Sequence, residues 1–170
     1  MKLELRYPAT PDNAFDHAQL AVEAAWESGF ELDYSPTSLE TADAEIEALR
    51  EEGNTGEDVA EALFVLGCYL GEVMARALGG RWVATARSPL AGVSPWPMVV
   101  MLRDGSAWDP IGKAYKRLEL GDSEYLPAYF AAAASRPRAG ATSPSQCRGC
   151  RDPRRERARR AATRRAPGSR

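Results

Sequence analysis

The stretch LGCYLGEVMARALGGRW, residues 66–82, decides how this chain folds. It is the second half of an apolar helical pattern that opens near Thr55 or Gly56 and runs to Leu78. There Gly79-Gly80 stops it, and RWVATARS, residues 81–88, continues as a strand. Gly67 and Gly71 stand four residues apart and so share one face of the helix. Each costs about 0.8–1 kcal/mol relative to alanine, and in return a second element can approach the backbone closely. Glu72 follows directly, one turn before Arg76, the spacing of an i, i+4 ion pair. Gly67, Gly71, Glu72 and Trp82 are therefore read as a packing seam. A site built on Cys68, Tyr69 and Glu72 is the rival reading of the same helix.

The apolar window from Val59 to Leu78 contains Glu61, Glu72 and Arg76. Each would cost about 2.5–3.5 kcal/mol near a bilayer centre, so a core helix is expected and no membrane span.

Upstream, Met1, Leu3, Leu5 and Tyr7 alternate with Lys2, Glu4 and Arg6, which predicts a short edge strand ended by Pro8 and Pro11. A first helix over 13–28 follows, with Phe15, Leu20, Val22 and Trp26 on its apolar face and Ser28-Gly29 at its end. Ser35-Pro36 has the cap and first-turn signature of a second helix. Its stripe is Leu39, Ala42, Ile46 and Leu49, and its outer face is acidic.

Downstream, MVVMLR (98–103) reads as a second strand, turned by Asp104-Gly105 into AWDP. A helix over 111–119, a break at Gly121 and a last helix over 123–134 complete the pattern. The expected fold is α+β: three N-terminal helices packed on a small antiparallel sheet, then one or two short C-terminal helices. The domain is expected to span residues 1–134.

Residues 135–170 differ in texture. They contain no Val, Ile, Leu, Met, Phe, Tyr, Trp or Lys, which predicts a disordered tail. The formal charge of −2 hides a division: residues 1–135 carry 22 acids against 10 bases, residues 136–170 two acids against 12 arginines. The tail's alphabet of Ala, Arg, Gly, Pro and Ser also fits out-of-frame translation of a GC-rich gene end, so a genuine and a frameshifted end both stand as readings.

Chemistry-bearing motifs are sparse. One histidine, His17, lies within the first helix, and G-x-S-x-G, P-loop and H-E-x-x-H patterns do not occur. Cys147 and Cys150 have C-x-x-C spacing, but a structural zinc needs four ligands and no second pair stands nearby. No metal or cofactor is expected. Three cysteines make no disulfide framework, and the opening residues have no signal-peptide pattern, so a cytoplasmic location is expected.

The order ELDYSPTSLETAD, LGCYLGEVMARALGGRW, MVVMLRDGSAWDPIGKAYKRLELGD resembles a group of small bacterial domains of unknown function over about residues 30–130. Their pattern has a short S-L-x-x-x-D helix, an L-G-x-Y-x-G-E helix before a Trp, and a hairpin leading into P-x-x-K-x-x-K-R-x-x-x-G. The matching positions are Ser38, Leu39, Asp43, Gly67, Tyr69, Gly71, Glu72, Trp82, Pro110, Lys113, Lys116, Arg117 and Gly121. The resemblance implies an α+β cytoplasmic domain and carries over no activity.

The leading expectation is a non-enzymatic protein-interaction or regulatory module, immunity-like in kind. Its contact surface would combine Trp96, Trp108, Lys113, Lys116 and Arg117. One alternative is nucleic-acid or acidic-partner binding through residues 136–170 by counterion release. The other is an enzyme using the Cys68, Tyr69 and Glu72 region.

Overall fold

A computed structural model describes residues 4–136. Its elements run in the order α1 (Ala14–Glu27), α2 (Leu39–Glu51), α3 (Ala60–Leu78), β1 (Arg81–Ala84), β2 (Met98–Met101), β3 (Ala107–Trp108), α4 (Pro110–Leu120) and α5 (Leu126–Ala134). This is the α+β arrangement expected, with a three-stranded antiparallel sheet and two C-terminal helices. Residues 137–170 of the predicted tail, with the Cys147–Cys150 pair, lie outside the described residues.

Helix α3 organises the core. Leu63, Phe64, Tyr69, Leu70, Val73 and Met74 are all fully buried, and the helix packs most extensively against α1 and α4. The two glycines explain how α4 comes so near. A Cβ at Gly67 would lie 2.6 Å from the Ile111 Cα, and one at Gly71 would collide with the Trp82 ring and sit 2.8 Å from Pro110 Cγ. The first obstacle is backbone, which cannot swing away, whereas the second is chiefly a side chain.

Gly79, at φ 69°, ends α3 in the left-handed conformation, and the Gly80 N–H donates to the Ala75 carbonyl at 2.9 Å, closing a Schellman-type cap. The chain then turns directly into β1. The strand order is β1-β2-β3, with Trp82 opposite Val100 and Val100 opposite Trp108. Central β2 presents buried Met98, Val99 and Val100. Asp109 caps α4, its Oδ1 accepting from the Gly112 N–H at 2.8 Å and its Oδ2 from the Ser94 hydroxyl at 2.8 Å. One carboxylate thereby ties the loop that carries Trp96 to the start of α4.

Three expectations are corrected. Of the expected strand, residues 1–3 lie outside the described residues, and residues 4–7 do not form a strand: Leu5 and Tyr7 are half-buried and their neighbours exposed, so the period-2 pattern is real, yet residues 4–7 join none of the three described strands. It passes instead into a turn in which the Pro8 carbonyl accepts from the Thr10 N–H and the Asn13 side chain. Helix α2 begins at Leu39 and not at Pro36, because Ser35 and its neighbours form a separate turn. The Ser35 N–H bonds Asp33 Oδ1 at 2.8 Å, and the Ser38 N–H returns to the Ser35 carbonyl at 3.2 Å.

The third correction concerns α1. Its buried face is Ala14, His17, Ala18, Ala21 and Ala25, while Phe15 and Trp26 are exposed and Leu20 and Val22 half-buried. Small side chains permit α1 to settle closely on α3, and the bulky ones are left at the margin.

Candidate functional site

The cations expected on a contact surface lie mostly inside the protein. Arg117 is 3% exposed, and its Nε donates to Asp43 Oδ1 at 3.0 Å and Oδ2 at 3.1 Å. One Nη reaches Glu47 and the other Asp122 at 3.4 Å. Asp43 Oδ1 also accepts the Leu126 N–H at 2.8 Å, so one buried pair clamps α2, α4 and the start of α5 together. Lys113 is likewise buried, paired with Glu124 and lying 5.1 Å from the Tyr129 ring centroid. Lys116 is exposed.

The tryptophans are half-buried. Trp96 stacks 4.5 Å from Tyr115 and 6.1 Å from Phe64, as a lid on the core. Trp108 meets Tyr129 edge-on at 5.0 Å and donates from Nε1 to the Ser106 hydroxyl at 2.9 Å. Four of the five expected residues therefore divide between an inner ion-pair layer, Lys113 and Arg117, and two aromatic caps, Trp96 and Trp108, while Lys116 stays at the surface.

The groups of the rival reading are bound into the scaffold. Cys68 is fully buried, and desolvation pushes its thiol well above the usual range, which suppresses the thiolate a nucleophile needs. The Tyr69 hydroxyl accepts the Tyr34 N–H at 2.9 Å and shares a short hydrogen bond with Ser38. Because the single Ser38 proton goes to the Ser35 carbonyl at 2.7 Å, Tyr69 is the donor to Ser38, and its hydroxyl is saturated. Glu72 pairs with Arg76 at 2.9 Å. His17 is buried, with Nε2 3.3 Å from the Pro8 carbonyl and its ring edge-on to Phe64 at 5.0 Å. Its Nδ1 is buried without a hydrogen-bond partner among the described residues.

What the residue pattern concealed is a surface on α1 and the segment after it. Phe15, Val22 and Trp26 fall within about 40° of one another at 3.6 residues per turn. Phe15 is 46% exposed and Trp26 74%. After α1, Gly29 adopts φ 85° and the Phe30 N–H returns to the Ala25 carbonyl at 2.9 Å, so the chain doubles back along the helix. Leu32 anchors that segment in the core, while Phe30 stays 48% exposed.

At the far end of this segment the Tyr34 hydroxyl donates to Gln19 Oε1 at 3.1 Å, and its ring lies 6.1 Å from Phe15. Arg76 reaches across from α3, its guanidinium carbon 3.8 Å from the Tyr34 ring centroid and 5.4 Å from that of Phe15. Tyr34 holds φ 63°, a conformation uncommon for a bulky residue and fixed here by the Tyr69 hydroxyl. Burial pushes its phenol up to about 12, against the opposing pull of Arg76.

The stripe is rimmed by acid. Exposed Asp16, Glu23 and Glu27 flank it on the helix, and exposed Glu31 and Asp33 on the returning segment. Between Tyr7 and Leu49 the sequence has ten acids and no Lys or Arg. The sequence signal that would have located this surface is the alanine ladder at 14, 18, 21 and 25, which claims the buried face for small residues.

A separate cleft of about 380 Å³ opens between the ends of α3 and α5 and the Asp104 turn. Arg103 and Arg136 line it, the first bonded to the Gly79 carbonyl at 3.2 Å and the second to Asp104 at 3.1 Å. Among the described residues, no helix is long and apolar enough to cross a membrane, and no group of three or more His, Cys, Asp or Glu is placed to hold a metal ion. Comparison with protein-family models, with curated proteins and with solved structures finds no match.

Proposed function

We propose that this protein is a protein-interaction module that docks a partner on the stripe of Phe15, Val22, Trp26 and Phe30. The observation that carries the reading is the exposure of Trp26, at 74%, and Phe15 on one stripe of α1, with Phe30 exposed in the segment that follows the helix. Singly exposed apolar residues are normal, whereas several large aromatics side by side mark interaction sites. Tryptophan and other aromatics are also the residues in which interfaces and their energetic centres are enriched. This moves the contact surface away from Trp96, Trp108, Lys113 and Arg117, whose packing and ion pairs serve the fold.

Membership of the small bacterial domains described above is part of the same reading. Its support is that the shared positions have coherent places here: Ser38 bonds Tyr69, Asp43 bonds Arg117, and Gly67, Gly71, Trp82 and Pro110 meet at one seam. The motif then specifies the scaffold, and the partner surface lies largely outside it.

Paired affinity capture from the native cell, with the wild-type chain and a Trp26→Ser/Phe30→Ser variant as baits, tests the proposal. A partner retained by the first and lost by the second is the expected outcome. Equal retention by both would move the docking face elsewhere.

A further inference from the structure

We infer that the partner element seated on this stripe is a basic amphipathic segment, with apolar anchors on one side and Lys or Arg beside them. The inference rests on the docking proposal above and adds the chemistry of the occupant. The stripe from Phe15 to Trp26 is about 16 Å long at 1.5 Å per residue, the length of about three turns of a docked helix. Asp16, Glu23 and Glu27 fall about 80–120° round α1 from Phe15 and border the stripe on the helix, and Glu31 and Asp33 follow on the returning segment, all exposed. The nearest cation described above, Arg76, is engaged by Glu72 and by the Tyr34 and Phe15 rings, so it does not reverse the sign of the rim. Complementary charge at such a rim steers association and fixes register, while the desolvated aromatic centre supplies the anchors.

Three other occupants fit less well. A second copy meeting this face through a two-fold axis would bring acidic rim against acidic rim. An anionic lipid surface would be repelled by the same carboxylates. Residues 136–170 have the charge for the rim, but without Val, Ile, Leu, Met, Phe, Tyr or Trp they have nothing to fill the aromatic centre.

The test titrates the full 170-residue chain with three synthetic 14-residue peptides: an amphipathic Leu/Lys helix, its Leu/Glu counterpart with the same apolar stripe, and a non-amphipathic Lys/Ser peptide. The Leu/Lys peptide is expected to bind at least about tenfold more tightly than either of the others, with an affinity that weakens as salt rises. The Phe15→Ser/Trp26→Ser/Phe30→Ser chain should lose that advantage while its circular dichroism spectrum shows it still folded. If the Leu/Glu peptide binds as tightly and is equally sensitive to the triple substitution, the docking face stands and the basic partner is overturned. If the Lys/Ser peptide matches the Leu/Lys peptide and the substitution changes nothing, the rim is only bulk charge and both readings fall. Absence of binding by all three peptides overturns the basic-segment inference. So does self-association of the free chain that the triple substitution abolishes, which would make a second copy the occupant.

Discussion

The Arg117 clamp and the α1 stripe invert what residue type alone suggests. In the clamp a guanidinium, normally a surface group, is 3% exposed, held by Asp43, Glu47 and Asp122. On the stripe a tryptophan, normally half-hidden, is 74% exposed with acids around it. The difference teaches that placement follows the partners within reach. Arg117 goes inside because α2 supplies two carboxylates one turn apart, Asp43 and Glu47. Trp26 stays outside because the ladder of alanines holds α1 too close to α3 for a large ring to enter. The clamp is a device of the fold, and the stripe is where we propose recognition takes place.

The largest test of that contrast removes the clamp. Arg117→Met leaves Asp43 buried without its counter-ion, and breaking a buried pair in this way costs about 3–5 kcal/mol. Urea unfolding should show the loss, and a change below about 1 kcal/mol would mean that the pair is dispensable.

Next comes the seam on which the clamp's helix rests. Gly67→Ala drives a methyl against the Ile111 backbone, and overpacking of this kind costs about 1–3 kcal/mol. Gly71→Ala should cost less if the Trp82 side chain can shift and more if Pro110 holds it. The ratio of the two midpoints decides which.

A third test uses pH. Hydrogen bonds from Arg50 first, and then from Arg117, hold Glu47 down at about 2, against an ordinary 4.5. A carboxylate lowered by folding stabilises fully above its unfolded value, and that stabilisation is lost as pH falls from about 4.5 towards 2. Glu124 beside Lys113, Asp58 beside Thr55 and Asp104 beside Ser106 act with the same sign. Asp109 acts oppositely, since burial raises it. Melting curves should therefore fall through this acid window, and more shallowly for Glu47→Gln. An unchanged slope in that variant would remove Glu47 from the clamp's energetics.

The smallest expected effect is on the stripe. Trp26→Ser should alter stability by no more than about 0.5 kcal/mol, the range of surface substitutions that disturb no packing. A larger loss would show that the ring supports the fold after all.

Local signals made much of the fold legible. Gly79-Gly80 marked the end of α3, Asp104-Gly105 marked the hairpin, and the Gly67–Gly71 spacing marked a close approach that Ile111, Trp82 and Pro110 supply. Other features depend on residues far apart in the chain. Nothing near Arg117 announces Asp43, 74 positions away, or the Leu126 N–H that shares it. The Leu5–Tyr7 alternation reported half-burial correctly but could not report whether a neighbouring strand existed. The candidate surface was missed because bulk was equated with burial on α1, where the small residues hold the inner face. Tyr34, bonded through its N–H to Tyr69, fixes the returning segment by a contact that no local pattern encodes.

The central claim is that the α1 stripe is the docking face. Photo-crosslinking in the native cell, with a light-activated residue placed at position 26 or, as a control, at exposed position 119 on α4, tests it most directly. The account predicts a discrete protein adduct from position 26 that is absent from position 119 and disappears on adding Phe15→Ser/Phe30→Ser. No adduct from position 26, or the same adduct from both positions, would contradict it.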